Sequence, residues 1–278
     1  MKFGITMFPT DLSIGPIALA RACEERGFVS LYVPEHTHIP ASRTTPAPAG
    51  EPLGEEYYRS LDPFVALTAA AAVTERLRVG TGIALVAQRD PIVTAKSVAS
   101  LDLVSNGRFV FGIGFGWNVE ELADHGVAFA DRRAVVKERV EAMKALWTEE
   151  QAVYSGQHVD FPATFSWPKP VQRPHPPVLL GGGGGPKLFE AIADYADGWM
   201  PIGGAGVRQA LPQLHAAMEA AGRDPAELTI IPFGVMADAG KIDYYAEIGF
   251  DEVVFRVPPA PADVVLSIMD RLASFVEG

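Results

Sequence analysis

Apolar residues arrive along this chain in two alternating rhythms. One consists of short unbroken runs, the other of longer stretches in which apolar positions recur at helical spacing. Unbroken runs suit strands buried on both faces of a parallel sheet, whereas the spaced stretches suit helices that cover such a sheet. The runs fall at 3–8, 29–34, 78–85, 107–118, 178–180, 198–201, 228–234 and 252–257. The spaced stretches fall between them at 14–26, 64–77, from 92 to the Asn106-Gly107 stop, 132–148, 188–195, 207–221, 241–248 and 262–276. Strand followed by helix, eight times over, predicts an α/β fold, a (β/α)8 TIM barrel. The punctuation agrees: Asp62-Pro63 and Asp90-Pro91 are N-cap and N1 pairs, and Gly27 and Gly222 stand where helices end.

Two stretches keep neither rhythm. Residues 37–60, after the second strand, hold several prolines, Arg43 and the pair Tyr57-Tyr58, and are read as a lid over the barrel mouth. Residues 151–177, between strands four and five, are a second insertion dense in proline and aromatics. The remainder is continuous, so residues 1–278 are expected to form a single domain.

Composition narrows the classes. At 278 residues the chain is close to the ~250 of one barrel. Hydrophobic residues at 48% supply a core, and no run is long enough to span a membrane. A net charge of −11 argues against nucleic acid as a partner. The first strand begins at once and Cys23 is the only cysteine, which leads to the expectation of a cytoplasmic protein without disulfides.

In such a barrel the chemistry gathers at the C-terminal ends of the strands. There the sequence puts Phe8, Glu35-His36, Gly82-Ile83, Gly114 to Asn118, the glycines 181–185, Pro201-Ile202, Phe233-Gly234 and Arg256. The set is apolar and rich in glycine, with few acids or bases. It suits a flat cofactor that brings its own reactivity. His36-x-His38 has the look of a metal pair, but later strand ends offer no further ligands, so no metal is expected. Glu35 and Glu120-Glu121 are too few and too poorly placed for a glycosidase pair. Gly112, Gly114 and Gly116 follow a strand, yet G-x-G-x-G is not the dinucleotide fingerprint. Five glycines leading into Pro186-Lys187 read as an anion cradle at a helix start.

Together, Glu35-His36, DPFVALTAAAAVTERLRVGTGI (62–83), RFVFGIGFGWNVEEL (108–122), PPVLLGGGGGP (176–186) and DYADGWMP (194–201) resemble the bacterial luciferase-like flavin and deazaflavin oxidoreductases. The chain looks most like their short branch of coenzyme F420-dependent enzymes. The resemblance implies a ring bound at the strand C-termini with its phosphate tail toward strands five to seven. It implies a cis peptide at Gly82-Ile83 and a proton-exchanging histidine, His36, beside the acid Glu35. Cofactor contacts are then expected from Glu35, Gly82, Ile83, Ala84, Leu85, Gly114, Phe115, Gly116 and Trp117, and along the tail from Gly182, Gly183, Gly184, Gly185 and Lys187. Phe8, Arg43, Tyr57, Tyr58 and Trp117 are expected to meet the substrate or close the lid. The sugar-phosphate-oxidising branch has a glutamate where this chain has Trp117, which points to a less polar substrate.

The resulting expectation is an oxidoreductase passing a hydride between F420 and a small, mostly apolar molecule, as a homodimer packed through its alanine-rich helices. An FMN-dependent monooxygenase and a non-catalytic flavin-binding barrel are the alternatives.

Overall fold

The computed structural model describes residues 1–48 and 50–277. Its centre is a sheet of parallel strands: β1 (Lys2–Thr6), β2 (Ser30–Val33), β3 (Arg78–Leu85) and β4 (Phe109–Gly114) come first. A separate hairpin of β5 (Ala152–Ser155) and β6 (Asp160–Thr164) intervenes. The sheet then continues with β7 (Val178–Gly181), β8 (Gly198–Met200), β9 (Thr229–Ile230), β10 (Phe233–Val235) and β11 (Glu252–Arg256). Strands β9 and β10 are halves of the one run expected at 228–234, parted where Pro232 has no N–H to give. β9 pairs with β8 and β10 with β11. Between them Ile231 N–H donates to the Trp199 carbonyl at 3.0 Å and Val254 N–H to the Pro232 carbonyl at 2.9 Å. This one segment touches both edges of the sheet, so the sheet closes into a barrel of eight staves.

Alternation along the strands sends one set of side chains inward and the other out to the helices. The inward set, Tyr32, Val110, Leu179, Met200, Ile231, Phe233 and Val254, fills the barrel, with Tyr32 meeting Phe233 edge-on at 5.6 Å. Below it Glu252 accepts from Ser30 and pairs with Arg78. The lower barrel is therefore solid, and open volume beside the reactive strand ends lies above this layer.

The helices are α1 (Pro16–Glu25), α2 (Glu56–Arg59), α3 (Pro63–Ala71), α4 (Pro91–Val104), α5 (Val119–Asp124), α6 (Arg132–Thr148), α7 (Pro186–Tyr195), α8 (Val207–Ala220), α9 (Ala239–Ile248) and α10 (Ala262–Glu277). Both Asp-Pro caps form as the sequence predicts. Asp62 accepts from Val65 N–H at 3.0 Å and Asp90 from Val93 N–H at 2.8 Å. α3 stops at Ala71, short of the expected 77, because two charged side chains take over its backbone groups. Glu24 accepts the N–H groups of Glu75, Arg76 and Leu77, while Arg108 donates to the carbonyls of Ala71, Thr74 and Leu77.

The insertion 151–177 is more ordered than the sequence suggests. It contains the β5–β6 hairpin, whose turn is held by Glu138 accepting from the N–H groups of 157–159. Its later half is fixed by buried Asp102, which accepts from Val171 and Gln172. Among the described residues no helix is long and apolar enough to cross a membrane.

Candidate active site

A cavity of about 490 Å³ opens at the C-terminal ends of the strands, within the ~300–1,000 Å³ range of small-molecule sites. A smaller one of about 180 Å³ shares Phe8, Tyr57, Gly82 and Arg256 with it and extends it over β1 and β10. Of the residues singled out by sequence, Phe8, Glu35, His36, Tyr57, Gly82, Ile83, Leu85, Gly114, Phe115, Gly116, Trp117 and Gly182 line the larger cavity. Ala84, Gly183, Gly184, Gly185, Lys187, Arg43 and Tyr58 do not.

The reasons are local. Along β3, Ile83 and Leu85 face the cavity and Ala84, fully buried, packs outward among the helices. The glycine run leaves the cavity after Gly182, whose carbonyl accepts from the Trp199 indole at 2.9 Å. At Gly184 an added Cβ would meet Phe189 and Trp199 at 3.0 and 3.1 Å, so this glycine serves helix packing. Tyr58 is exposed, and Arg43 is engaged by Glu51, with its guanidinium 5.8 Å from the centre of the Trp117 ring.

The rim glycines, expected from the sequence to contact a cofactor, need a different account. The Gly82-Ile83 peptide is cis, as the resemblance implies. The Ile83 side chain lies over the other strand ends: an added Cβ at Gly114 would come within 2.5 Å of its Cδ1, and at Gly181 within 2.7 Å of its Cγ2. Glycine at 114 and 181 therefore makes room for Ile83. A planar ligand would rest on Ile83 rather than on glycine backbone.

Glu35 and His36 follow β2 after Pro34, and their side chains diverge, as neighbours on an extended chain do. The Glu35 carboxylate, 2% exposed as a residue, accepts from Leu85 N–H at 2.7 Å and from Arg89 at 2.6 Å. Arg89 is shared with Asp62 at 2.7 Å. Its oxygens are thus committed to holding the end of β3, and the role of acid partner to His36 passes to another residue. That residue is Glu121, wholly buried, whose Oε2 lies 2.9 Å from His36 Nδ1. A carboxylate can only accept, so Nδ1 carries the proton and Nε2 is the ring atom available to a ligand. The second oxygen, Oε1, is buried with no partner.

Glu121 was within reach of sequence reasoning. Asn118 caps α5 and accepts from Glu121 N–H at 3.3 Å, a capping spacing that turns Glu121 inward. Around the imidazole stand Tyr57 at 5.2 Å and Trp117 at 5.8 Å between ring centroids, with Phe8 5.0 Å from Tyr57. Burial pushes the Tyr57 phenol above its ordinary range, so it stays protonated at neutral pH.

The insertion 37–60 is tied down by Glu120. It accepts from Thr44 N–H at 2.7 Å, Thr45 N–H at 3.2 Å and both threonine hydroxyls, at 2.7 and 2.6 Å. These bonds hold its carboxyl at about 2. A depressed carboxylate contributes above its unfolded value and loses that contribution as pH falls through the folded one. The tether should therefore persist at mildly acidic pH and fail only toward about 2. Glu120→Ala is expected to make residues 37–48 the first site of protease cleavage at neutral pH while the barrel stays intact. Limited proteolysis with mass spectrometry reads this, and an unchanged cleavage pattern would remove Glu120 as the tether.

With this geometry in hand, the sequence matches the family described as "Luciferase-like monooxygenase" across residues 16–240. The chain belongs to the luciferase-like monooxygenase family. A protein of Mycobacterium tuberculosis, itself uncharacterized, is 44% identical over 278 residues, 99% of this chain and 98% of its own. The luciferase-like barrel superposes on monooxygenase RslO1 from Streptomyces bottropensis with a TM-score of 0.79 at 25% identity, covering 99% and 98% of the two chains. Coenzyme F420-dependent tetrahydromethanopterin reductase from Methanopyrus kandleri shares the fold with a TM-score of 0.74 at 18% identity, over 98% and 97%. As a luciferase-like protein, this chain is an oxidoreductase or monooxygenase.

Proposed function

We propose that this enzyme transfers a hydride between coenzyme F420 and a small, mostly apolar organic substrate, with His36 carrying the accompanying proton. One observation supports this most: a histidine held through Nδ1 by buried Glu121, with Nε2 as its free face, at the edge of an apolar cavity. Hydride transfer to a carbonyl or imine leaves an anion that needs a proton, and a fixed imidazole that cycles between neutral and charged forms supplies one. The residues present fit such a cofactor: Ile83 offers a flat apolar bed, Trp117 and Phe115 offer walls, and the cavity admits a tricyclic ring. Bound there, F420 would supply a two-electron hydride donor or acceptor. His36 Nε2 would give or take the proton, and Glu121 would steady the imidazolium that results. Tyr57, Trp117 and the tethered lid would limit water at the reacting centre.

The likeness to RslO1 favours a second reading, oxygenation with reduced FMN. Paired assays, one without oxygen and one with it, distinguish the two. With reduced F420 and a panel of small ketones and imines, oxidised deazaflavin is expected to appear only when substrate is present. Oxygen incorporated from O2 into product with reduced FMN, while F420 stays inert, would overturn the F420 reading.

We also propose a cytoplasmic homodimer. The alanine-rich pair α3 and α4 leaves Val65 70%, Val93 63% and Leu103 52% exposed, an apolar face that a second copy would cover. Sedimentation velocity giving a monomer at micromolar concentration would contradict the dimer.

A further inference from the structure

The larger and the smaller cavity meet at six shared residues: Phe8, Pro34, Tyr57, Gly82, Ile202 and Arg256. Of these, only Tyr57 and Arg256 carry a side-chain hydrogen-bond donor. The junction is therefore apolar apart from one phenol and one guanidinium. Tyr57 is the inner of the two. Its ring stands 5.2 Å from that of His36, 6.2 Å from Trp117 and 5.0 Å from Phe8 between centroids, whereas the Arg256 side chain is 48% exposed.

The chain around Tyr57 fixes its position relative to His36. Arg59, which ends α2, pairs with Asp11 at 2.8 Å and with Glu55 at 3.0 Å. The Ser60 hydroxyl donates to the His36 carbonyl at 3.2 Å, and Leu61 N–H donates to the Pro9 carbonyl at 2.9 Å. The phenol hydroxyl itself is uncommitted. Among the described residues it has no hydrogen-bond partner, and it is not one of the polar atoms sealed away from solvent. A tyrosine kept only for its ring usually finds its hydroxyl a partner, and phenylalanine would build the same wall with no polar atom to satisfy. Burial holds the proton on this phenol; the Arg256 charge acts against it and the Glu56 charge with it. The group is thus a donor at neutral pH, aimed at no acceptor that the described residues supply.

We propose that Tyr57 is a second catalytic donor, which together with His36 binds the oxygen of a carbonyl substrate, and that the smaller chamber holds the apolar body of that substrate. This rests on the reading that His36 carries the proton of a hydride transfer. It also narrows the substrate to a ketone or aldehyde, because a carbonyl oxygen has two lone pairs and takes both donors, whereas an imine nitrogen has one. Met7, Phe8, Phe233 and Val257 wall a chamber of about 180 Å³, which suits a short alkyl or single-ring body. In the reductive direction the carbonyl carbon receives a hydride, with its two electrons, from a reduced deazaflavin. The C=O π pair moves onto the oxygen, and that oxygen takes a proton from His36 Nε2. The balance is carbonyl plus reduced deazaflavin to alcohol plus oxidised deazaflavin, and the proton released from the deazaflavin nitrogen replaces, by way of solvent, the one His36 gave. Tyr57 keeps its own proton throughout, and its hydrogen bond strengthens as charge gathers on the oxygen.

The test uses the folded protein without cofactor and two single-ring probes, the oxyanion 4-nitrophenolate and neutral nitrobenzene. Calorimetry reads both affinities, and absorbance reads the phenolate band. Tyr57→Phe is expected to weaken 4-nitrophenolate about 10- to 100-fold, the usual worth of a hydrogen bond to a charged group, and to leave nitrobenzene unchanged. The phenolate band should also shift relative to the wild-type complex, because one donor to the oxyanion is gone. Arg256→Gln should lose less than Tyr57→Phe. Equal losses for both probes would make Tyr57 a wall, a larger loss in Arg256→Gln would hand the oxyanion to the arginine, and no phenolate binding by wild type at millimolar concentration would remove the site. Each of these results overturns the proposal. With reduced F420 and small ketones in the absence of oxygen, Tyr57→Phe should lower kcat about 100- to 1,000-fold, the range for losing one donor to a developing oxyanion. Should wild type oxidise no F420 with any ketone, the F420 reading fails by itself, and the phenolate titration still decides Tyr57. Thermal unfolding midpoints identify any variant that has not folded.

Discussion

His36→Asn is expected to lower the rate of hydride transfer by about 100- to 10,000-fold, the range for losing a positioned general acid or base, while cofactor binding changes little. Asparagine keeps a donor near Glu121, so the buried carboxylate is not stranded and the fold should survive. Single-turnover kinetics with prebound cofactor isolates the step. Glu121→Gln removes the charge that fixes the imidazole, so its effect should run in the same direction and move the pH–rate profile. Glu121 acts through His36 and need not touch a ligand. A His36→Asn enzyme at wild-type rate across the pH range would remove the proton-transfer role and leave the pocket as a mere container.

The second large effect concerns stability. Glu35→Gln strips the negative charge from a buried pair with Arg89 and weakens the acceptor for Leu85 N–H. Breaking such a pair outright costs about 3–5 kcal/mol, but Asp62, 2.7 Å from the same guanidinium, keeps part of the compensation, so a loss of about 1.5–3 kcal/mol, the worth of a hydrogen bond to a charged group, is expected. Chemical denaturation should show a midpoint shift of that order. Because the same carboxylate braces the end of β3 beside Ile83, cofactor affinity should fall with it, while the rate from the bound state changes less than in His36→Asn. The reverse pattern, full stability with a dead chemical step, would make Glu35 the catalytic acid that the family resemblance first implied.

Much of this architecture is legible in the sequence, because each stave carries its own punctuation. The Asp-Pro caps at 62 and 90, the terminal glycines and the unbroken apolar runs are local signals, and local physics decides them. What escapes depends on the direction of single side chains and on contacts between distant segments. Adjacent residues in extended chain point opposite ways, so the Glu35 and His36 side chains find different partners although both residues border the cavity, and Ala84 turns away from it where Ile83 does not. The glycines at 114 and 181 read as space for a ligand, but the space belongs to Ile83, far away in sequence. The run 181–185 looks like one cradle, yet Trp199 and Phe189 draw Gly184 into helix packing. The tie of 72–77 to Glu24 and Arg108, which shortens α3, likewise spans distant parts of the chain.

These observations meet in one picture: a closed barrel, filled by side chains below, with an apolar chamber above Ile83 that has a proton device on one wall. Its most direct test is a titration of the folded wild-type protein with F420 and, separately, FMN, followed by equilibrium dialysis. The account expects one site per chain with micromolar or tighter affinity for at least one of them, about −8 kcal/mol or better. A folded protein that retains neither compound at such concentrations would contradict it.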